Sequence, residues 1–487
     1  MNKYLGIDLG TSGTKILLVD ACGEVVKEIT KNYGVCYPKE GWSEQSPELW
    51  LTAAYEGVRE LLEGEDASEV KGISFGGQMH GLVLLDENGE VIRPCILWND
   101  GRTQAQTDYL NNVIGKENLS KYTGNIAFAG FTAPKILWVK ENEPENFAKI
   151  AKIMLPKDYL AYKLTGVHST DYSDASGMLL LDVENKRWSD EMCAVCSVKK
   201  EWLPALCESY DVIGTLTEEA AEKLGLSADV IVTAGAGDNA AAAIGTGTVG
   251  GGACNISLGT SGTIFISGDK FGVDDKNALH SFAHADGKWH LMGCILSAAS
   301  CRKWWLEDIL GSSDYASDEK DAAAGESGII YLPYLMGERS PHNDVNAKGA
   351  FIGLGAASTK GQMSRAVMEG VAFALKDCME IARSQGIDVR KTRICGGGAK
   401  SALWKQIVAD VLEIPVESPV TEQGPAYGAA ILAMVGAGEY GDVITAAEKL
   451  VKAKDTVYPS ENLEYYRKKY ENFRTLYPAL KEIFASM

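Results

Sequence analysis

Two stretches of the chain repeat one pattern of apolar and polar positions. Residues 4–20, YLGIDLGTSGTKILLVD, set an apolar run on either side of a Gly/Ser/Thr turn, which predicts strand, tight turn and strand. Residues 255–267, NISLGTSGTIFIS, do the same, with the identical hexapeptide LGTSGT between two β-prone runs. Between the two copies, PELWLTAAYEGVRELLEG (47–64) has the spacing of an amphipathic helix and VKGISFGG (70–77) that of a following strand. Helical spacing returns at 361–386 and 401–414, and a charged, aromatic helix is expected at 461–485. Alternating helices and strands predict an α/β chain.

The repeats lie about 250 residues apart, too far for a solenoid period, so they predict two lobes, homologous or convergent, facing each other across a cleft. The Gly/Ala-rich stretch TAGAGDNAAAAIGTGTVGGGA (233–253) breaks the surrounding composition and is the expected junction. We therefore expect an N-terminal lobe over 1–248 and a C-terminal lobe over 249–487, with glycines 245–252 absorbing any closure of the lobes. Within that stretch Gly245, Gly247 and Gly250 satisfy GxGxxG, but they follow an Ala-rich helical run instead of a strand and no helix follows, so they read as a hinge.

Composition narrows the function classes. The 487 residues, 46% hydrophobic and 23% charged, suit a folded globular chain of several domains. A net charge of −19 leaves no basic stripe for nucleic acid or an anionic membrane, and no run approaches the ~20 apolar residues of a spanning helix. MNKYLGIDLG enters a strand directly, without the apolar core of a signal peptide, so the cytoplasm is the expected location. The eleven cysteines read as buried, reduced thiols, and Cys193 and Cys196, the only CxxC, lack the further ligands that a zinc site needs.

The candidate chemistry gathers at the turns. In DLGTSGTK (8–15), Gly10 and Gly13 let the backbone amides approach an anion, Thr11, Ser12 and Thr14 add hydroxyls, and Lys15 adds charge. One such turn on its own reads first as a plain hairpin. Its second copy, at 258–263, favours two cradles on opposed lobes that clamp a polyphosphate. Asp8, just before the first turn, repels a phosphate unless a divalent cation lies between them, so it is the expected holder of Mg²⁺, through water. ICGGGAKS (394–401) is no P-loop, because Ile394 and Ala399 stand where glycines are required. Its glycines fit either a tight turn or the approach of an adenine or ribose.

Asp238, in GDNAA (237–241), is the candidate catalytic carboxylate, set among small uncharged residues. It also reads as the cap of the following helix, and both roles can coexist. An aspartate of ordinary pKa, ~3.9, is ionised at pH 7 and can accept a proton late in a transfer. GGQMHG (76–81) follows a strand and presents Gln78, Met79 and His80 on glycine-flanked backbone, suited to a polar small molecule, although a structural histidine is the commoner case.

These residues carry a family likeness. DLGTSGTK (8–15), LGTSGT (258–263) and GGGAKS (396–401) resemble the two phosphate motifs and the adenosine motif of the FGGY family of carbohydrate kinases, and the likeness covers essentially the whole chain. GFTAPKILW (130–138) and GAFIG (349–353) through Gln362 to Glu369 are similar to its signatures. GQMHG (77–81), LWNDGR (97–102), GDNAA (237–241) and GERSPHNDVNAKGAF (337–351) resemble the ketopentose-phosphorylating branch. The resemblance implies an actin-like, ribonuclease-H-like ATPase fold with two lobes and a central cleft, ATP and Mg²⁺ as cofactors, and a small ketopentose as partner. It implies Asp238 as general base, Asp8 as the metal-linked carboxylate, and Met79, His80, Asp238 and Asn239 as sugar contacts, with Gln78 beside them. Gly259, Thr260, Gly398, Ala399 and Ser401 would lie along the nucleotide. SAASC (297–301) departs from the pattern by being poorer in glycine than the family's nucleotide side. A homodimer is an expectation of the resemblance alone. The rival readings are a kinase for another ketopentose or a polyol, an actin-like ATPase without sugar chemistry, and a non-catalytic sugar-binding or regulatory protein.

Overall fold

The computed structural model describes residues 1–420 and 423–487. They form two compact units: Met1–Gly250 with Ser281–Trp289 and Gln423–Val451, and Gly251–His280 with His290–Glu422 and Lys452–Met487.

The first unit is built on a seven-stranded sheet. Its strands are β1 (Lys3–Leu9), β2 (Gly13–Asp20), β3 (Val25–Asn32), β4 (Val70–Gly77), β5 (Val212–Thr215), β6 (Ile231–Thr233) and β7 (Ala236–Gly237). They run in the order β5-β6-β4-β1-β2-β3, with β7 also on β4. β1, β6 and β7 are parallel to β4, and β1 and β2 form the first expected hairpin. β1 is buried on both faces, as a central strand of a covered sheet must be. Leu5, Ile7 and Leu9 join a core with helix α1 (Pro47–Leu61), whose Trp50, Ala54, Val58 and Leu61 repeat at helical spacing behind a proline in the first turn. Edge strand β3 instead alternates half-buried and exposed residues and carries Lys27 and Lys31, which blunts it against foreign pairing.

The other face of the sheet is covered by a helix from much later in the chain, Gly424–Gly436. A Cβ on Gly6 would lie 1.9 Å from the Ala426 carbonyl oxygen, so this helix rests directly on β1. The same helix packs on α4 (Asp238–Gly245), where a Cβ on Gly428 would lie 1.8 Å from the Ala241 carbonyl. The alanine run read as part of a junction is therefore a close-packing helix face. The break between units falls at Gly250/Gly251, past its end.

In the second unit five consecutive strands of another seven-stranded sheet run β9-β8-β10-β11-β12: β8 (Ala253–Leu258), β9 (Gly262–Gly268), β10 (Lys391–Cys395), β11 (Val416–Pro419) and β12 (Ala453–Val457). β8 and β9 form the second expected hairpin. Helix α5 (Lys360–Ser384) starts at a capping box made by Thr359 and Gln362, and α6 (Ala402–Leu412) starts at Ser401. Helix α7 (Leu463–Ala485) buries Tyr466, Tyr470, Phe473 and Tyr477 on one stripe against this core. All eleven cysteines are free, but Cys22 and Cys36 are exposed and Cys207, Cys294 and Cys395 only half-buried, so the expectation of uniformly buried thiols fails for those five. No described helix is long and apolar enough to cross a membrane.

Candidate active site

The parallel strands of the first unit end together. Asp8 pairs with Gly76 and Leu9 with Gly77 on one side of β4, and Gly237 pairs with Gly77 on the other. Asp8 and Asp238 are thereby presented at the carboxyl ends of β1 and β7, the strands on either side of β4, where open α/β sheets bind ligands. Burial pushes the Asp8 carboxyl up to about 7, the charge of Asp238 adds to the rise, and Lys15 opposes it. Burial pushes Asp238 up to about 6, against the backbone and side-chain hydrogen bonds of Asn239. Asp238 is thus a stronger base than the ordinary aspartate expected from sequence. It is also the first residue of α4, with Gly237 in the cap position, so the capping reading shifts by one residue. Its Oδ1 accepts from the Asn239 amide at 2.7 Å and from Asn239 Nδ2 at 3.0 Å.

Beside this pair stands a tightly fitted wall. Met79 is buried, with its sulfur 3.9 Å from Asn239 Nδ2. A Cβ on Gly237 would come within 3.0 Å of Met79, and one on Gly177 within 2.5 Å of the His80 ring. His80 sits at φ 68°, in the left-handed region that few residues other than glycine, asparagine, aspartate and histidine adopt, and its surroundings hold it there. Those surroundings are explicit. Nδ1 is 2.8 Å from the Gly177 carbonyl, the ring stacks on Phe131 at 4.7 Å, and the His80 carbonyl accepts from Lys135 Nζ at 2.7 Å and Thr132 Oγ1 at 3.1 Å. Lys135 is fully buried, and burial lowers its ammonium to about 7. Sequence reasoning quoted its segment, on α2 (Thr132–Asn142), without finding this role. A lysine inside an otherwise apolar helical run was the available signal.

The tip of the first hairpin is held by its carbonyls. The carbonyls of Gly10, Thr11 and Ser12 accept from Tyr33 Oη, Gln45 Nε2 and the Tyr33 amide at 2.7, 2.7 and 3.1 Å. Among the described residues the amides of Thr11 and Ser12 donate to no protein acceptor. Free amides on a glycine-flanked turn are able to receive an anion. The other predicted cradle residues divide. Ser12 is exposed at the tip. Thr14 is buried and bonded to Tyr33 Oη at 3.1 Å, and Gly13 is where a Cβ would meet Asn32 Oδ1 at 2.8 Å, so both belong to the packing of the hairpin. Lys15 bonds to the Gln423 side chain and lies 3.7 Å from Glu28. Gln78 is buried in a network of its own: its Oε1 accepts from Thr11 Oγ1 at 3.0 Å, and its Nε2 donates to Gln45 at 3.2 Å. Trp98 Nε1 closes the network on Thr11 Oγ1 at 2.9 Å.

In the second unit, Gly259 and Thr260 border a cavity of about 530 Å³, within the range for a small-molecule ligand. Their carbonyls accept from the amides of Ala299 and Ala298 at 2.9 and 3.0 Å, while the amides of Thr260 and Ser261 donate to no protein acceptor among the described residues. Gly398 also lines the cavity. A Cβ there would meet Leu258 Cβ at 2.8 Å and the Trp404 ring at 3.0 Å, which is why a glycine stands at that point. Ala399 and Ser401 are not on the lining. The Ala399 amide turns back to the Gly396 carbonyl at 3.1 Å, and Ser401 Oγ caps α6 by accepting from the Trp404 amide at 3.1 Å. Ala299, Ser300, Arg302 and Tyr315 complete the wall and were missed. The unusual SAASC segment was the signal for the first two.

Such parts define a phosphotransferase: amide cradles for phosphate, a carboxylate pair at one of them and a nucleoside-sized cavity at the other. The description "FGGY family of carbohydrate kinases, N-terminal domain" matches residues 3–245, and its C-terminal counterpart residues 254–437. The chain belongs to the FGGY family of carbohydrate kinases, and its two α/β units are that family's actin-like fold. A xylulose kinase from Escherichia coli is 40% identical over 99% of this chain and all of its own length. A solved xylulose kinase from Brucella ovis is 39% identical with a TM-score of 0.94, covering 99% of this chain and 100% of that one. A gluconate kinase structure from Lactobacillus acidophilus reaches the same TM-score of 0.94 at 27% identity, over 100% of this chain and 99% of its own. The fold thus marks a sugar kinase, and the choice of sugar rests on side chains.

Proposed function

We propose that the chain transfers the γ-phosphoryl group of ATP to the primary hydroxyl of D-xylulose, giving ADP and D-xylulose 5-phosphate. The observation that carries this reading is the constellation of Asp238, Asn239, Met79 and His80: a base of raised pKa beside a wall locked by the Gly177 carbonyl and the Phe131 ring. The likeness to a xylulose kinase, 40% identical over nearly the whole of both chains, favours a ketopentose in that wall. Asp238 accepts the proton of the attacking hydroxyl as its oxygen displaces ADP in line, and the amides of Thr11, Ser12, Thr260 and Ser261 hold phosphate oxygens.

Asp8 fits a magnesium ion. It is a hard oxygen donor whose charge is opposed by burial and by Asp238, and a cation relieves both. Among the described residues no group of three or more acidic, histidine or cysteine side chains could hold a metal unaided, so Asp8 would hold the ion together with water and phosphate oxygens. When bound, the ion neutralises charge on the transferring phosphoryl group. Eleven free cysteines suit the reducing cytoplasm as the location.

The test is ADP release from Mg²⁺-ATP with D-xylulose, L-xylulose, D-ribulose, L-ribulose, gluconate, glycerol and no sugar in parallel. D-Xylulose is expected to give the largest kcat/KM. A larger value for another sugar refutes the substrate assignment, and ADP release that no sugar raises refutes the kinase reading.

A further inference from the structure

Directly beneath the turn that carries Asp238 lies a buried charge cluster that the mechanism above does not use. Lys157, the second residue of α3 (Pro156–Thr165), is completely buried. Its Nζ lies 2.7 Å from Asp158 Oδ1, 3.0 Å from Asp171 Oδ1 and 3.7 Å from Asp174 Oδ2, and all three carboxylates are themselves buried. Nζ also reaches the Ala234 carbonyl, two residues before β7, at 3.4 Å. Among the described residues the carboxylate oxygens of Asp174 accept no hydrogen bond. Three acidic groups around one ammonium, out of water, are a poor device for stability, since packed apolar side chains of the same volume usually serve as well or better. Such a cluster needs another reason.

The hydrogen bonds supply one. The second oxygen of Asp171 accepts from the Ser173 amide at 2.8 Å, from Ser209 Oγ at 2.7 Å and from Ser173 Oγ. With its proton committed to Asp171, Ser173 Oγ turns a lone pair toward the amide of Gly237 and accepts from it at 3.1 Å. Gly237 is the residue before Asp238 and pairs with Gly77. Gly77 in turn lies against the Lys157 stem, where an added Cβ would stand 2.6 Å from Lys157 Cβ. Both strand ends that present the reacting groups, Gly77 before Met79 and His80 and Gly237 before Asp238, are therefore seated on Lys157 or on what it orients.

We propose that Lys157, acting through Asp171 and Ser173, is a positioning residue that fixes the Gly237 amide and so aims the Asp238 carboxylate at the substrate hydroxyl. This rests on the reading of Asp238 as the base. Removing the Ser173 hydroxyl frees the Gly237 amide, lets the first turn of α4 shift, and lowers the fraction of bound sugar whose hydroxyl meets the base. Because a displacement of about 1 Å at a reacting group costs up to ~10²-fold, the loss belongs in kcat.

The test is a double-mutant cycle in the coupled kinase assay with D-xylulose and Mg²⁺-ATP. Ser173→Ala is expected to lower kcat about tenfold while the KM for ATP stays within about twofold and the melting temperature within a few degrees. In an Asp238→Asn background the same change is expected to cost less than about twofold, because the group it aims is gone. Lys157→Met is expected to cost more than Ser173→Ala. If Lys157→Met does not fold, the Ser173 cycle decides alone. Wild-type kcat in Ser173→Ala, or the same loss with and without the Asp238 carboxylate, overturns the positioning role while leaving Asp238 as base. Asp238→Asn with wild-type turnover overturns the base reading itself, and the relay with it.

Discussion

The same six residues, LGTSGT, turn two hairpins in this chain, and their surroundings make them different devices. At the first, side chains hold the turn: Gln45, Gln78, Tyr33 and Trp98 occupy the carbonyls and the Thr11 hydroxyl. At the second, the backbone of 298–300 takes the carbonyls, and the space beside the turn is the cavity. Both leave the same amides free. The first adds two carboxylates of raised pKa and so manages charge, and the second adds room and so manages a flat ligand. An identical turn thus specifies anion binding, and the chemistry comes from what the rest of the unit places around it.

Substitutions at each turn's partners separate the two roles. The largest effect is expected from Asp238→Asn, which removes the base from the first site with little change in shape. Turnover falls by about 10²–10⁴-fold while the sugar KM stays within several-fold, as steady-state kinetics with D-xylulose will show. Next is Gly398→Ala in the second site. Its Cβ, 2.8 Å from Leu258 and 3.0 Å from Trp404, presses the cavity wall, and the ATP KM rises about tenfold with the sugar KM unchanged. Equal changes in both constants would erase the division of labour between the two turns.

A smaller effect distinguishes how the turns are held. Thr11→Val leaves the buried Gln78 oxygen without its donor and is expected to lower stability by about 1–3 kcal/mol in chemical denaturation, whereas Thr260→Val costs little. Smallest is Asp8→Asn. The Asp8 carboxyl binds its proton up to about pH 7 in the folded chain but only to ordinary carboxylate values when unfolded. Its ionisation therefore costs the fold stability as pH rises between those limits. The variant is expected to melt about 2 °C or more above the parent at pH 8 without magnesium, and at the same temperature near pH 3.5.

Much of this was legible before the fold was seen. The hairpins, α1, β4, α5 and α6 follow from apolar periodicity and glycine turns, which are local properties. Asp238 and Asp8 stand out in the sequence because a carboxylate beside a glycine-rich turn is chemically conspicuous. What escaped was non-local. Nothing near 238–245 says that its alanines meet a helix at 424–436, so composition alone favoured a junction. Gln78 and Ser401 look like ligand contacts in sequence, yet one is used up in a buried network and the other caps a helix. Lys135 and Lys157 carry no motif of their own. Their roles exist only where the fold brings the His80 carbonyl to one and three aspartates to the other.

The central claim is that Asp238, held near pH 6 by burial, is the group that takes the proton from the sugar. The pH dependence of kcat/KM for D-xylulose, measured from pH 5 to 8 on the parent and on Asp238→Asn, tests it most directly. The account predicts a parent profile that falls about tenfold per pH unit below about 6, and a variant whose residual activity lacks that limb. A variant that keeps the parent's rate, or shows the same acid limb, would contradict it.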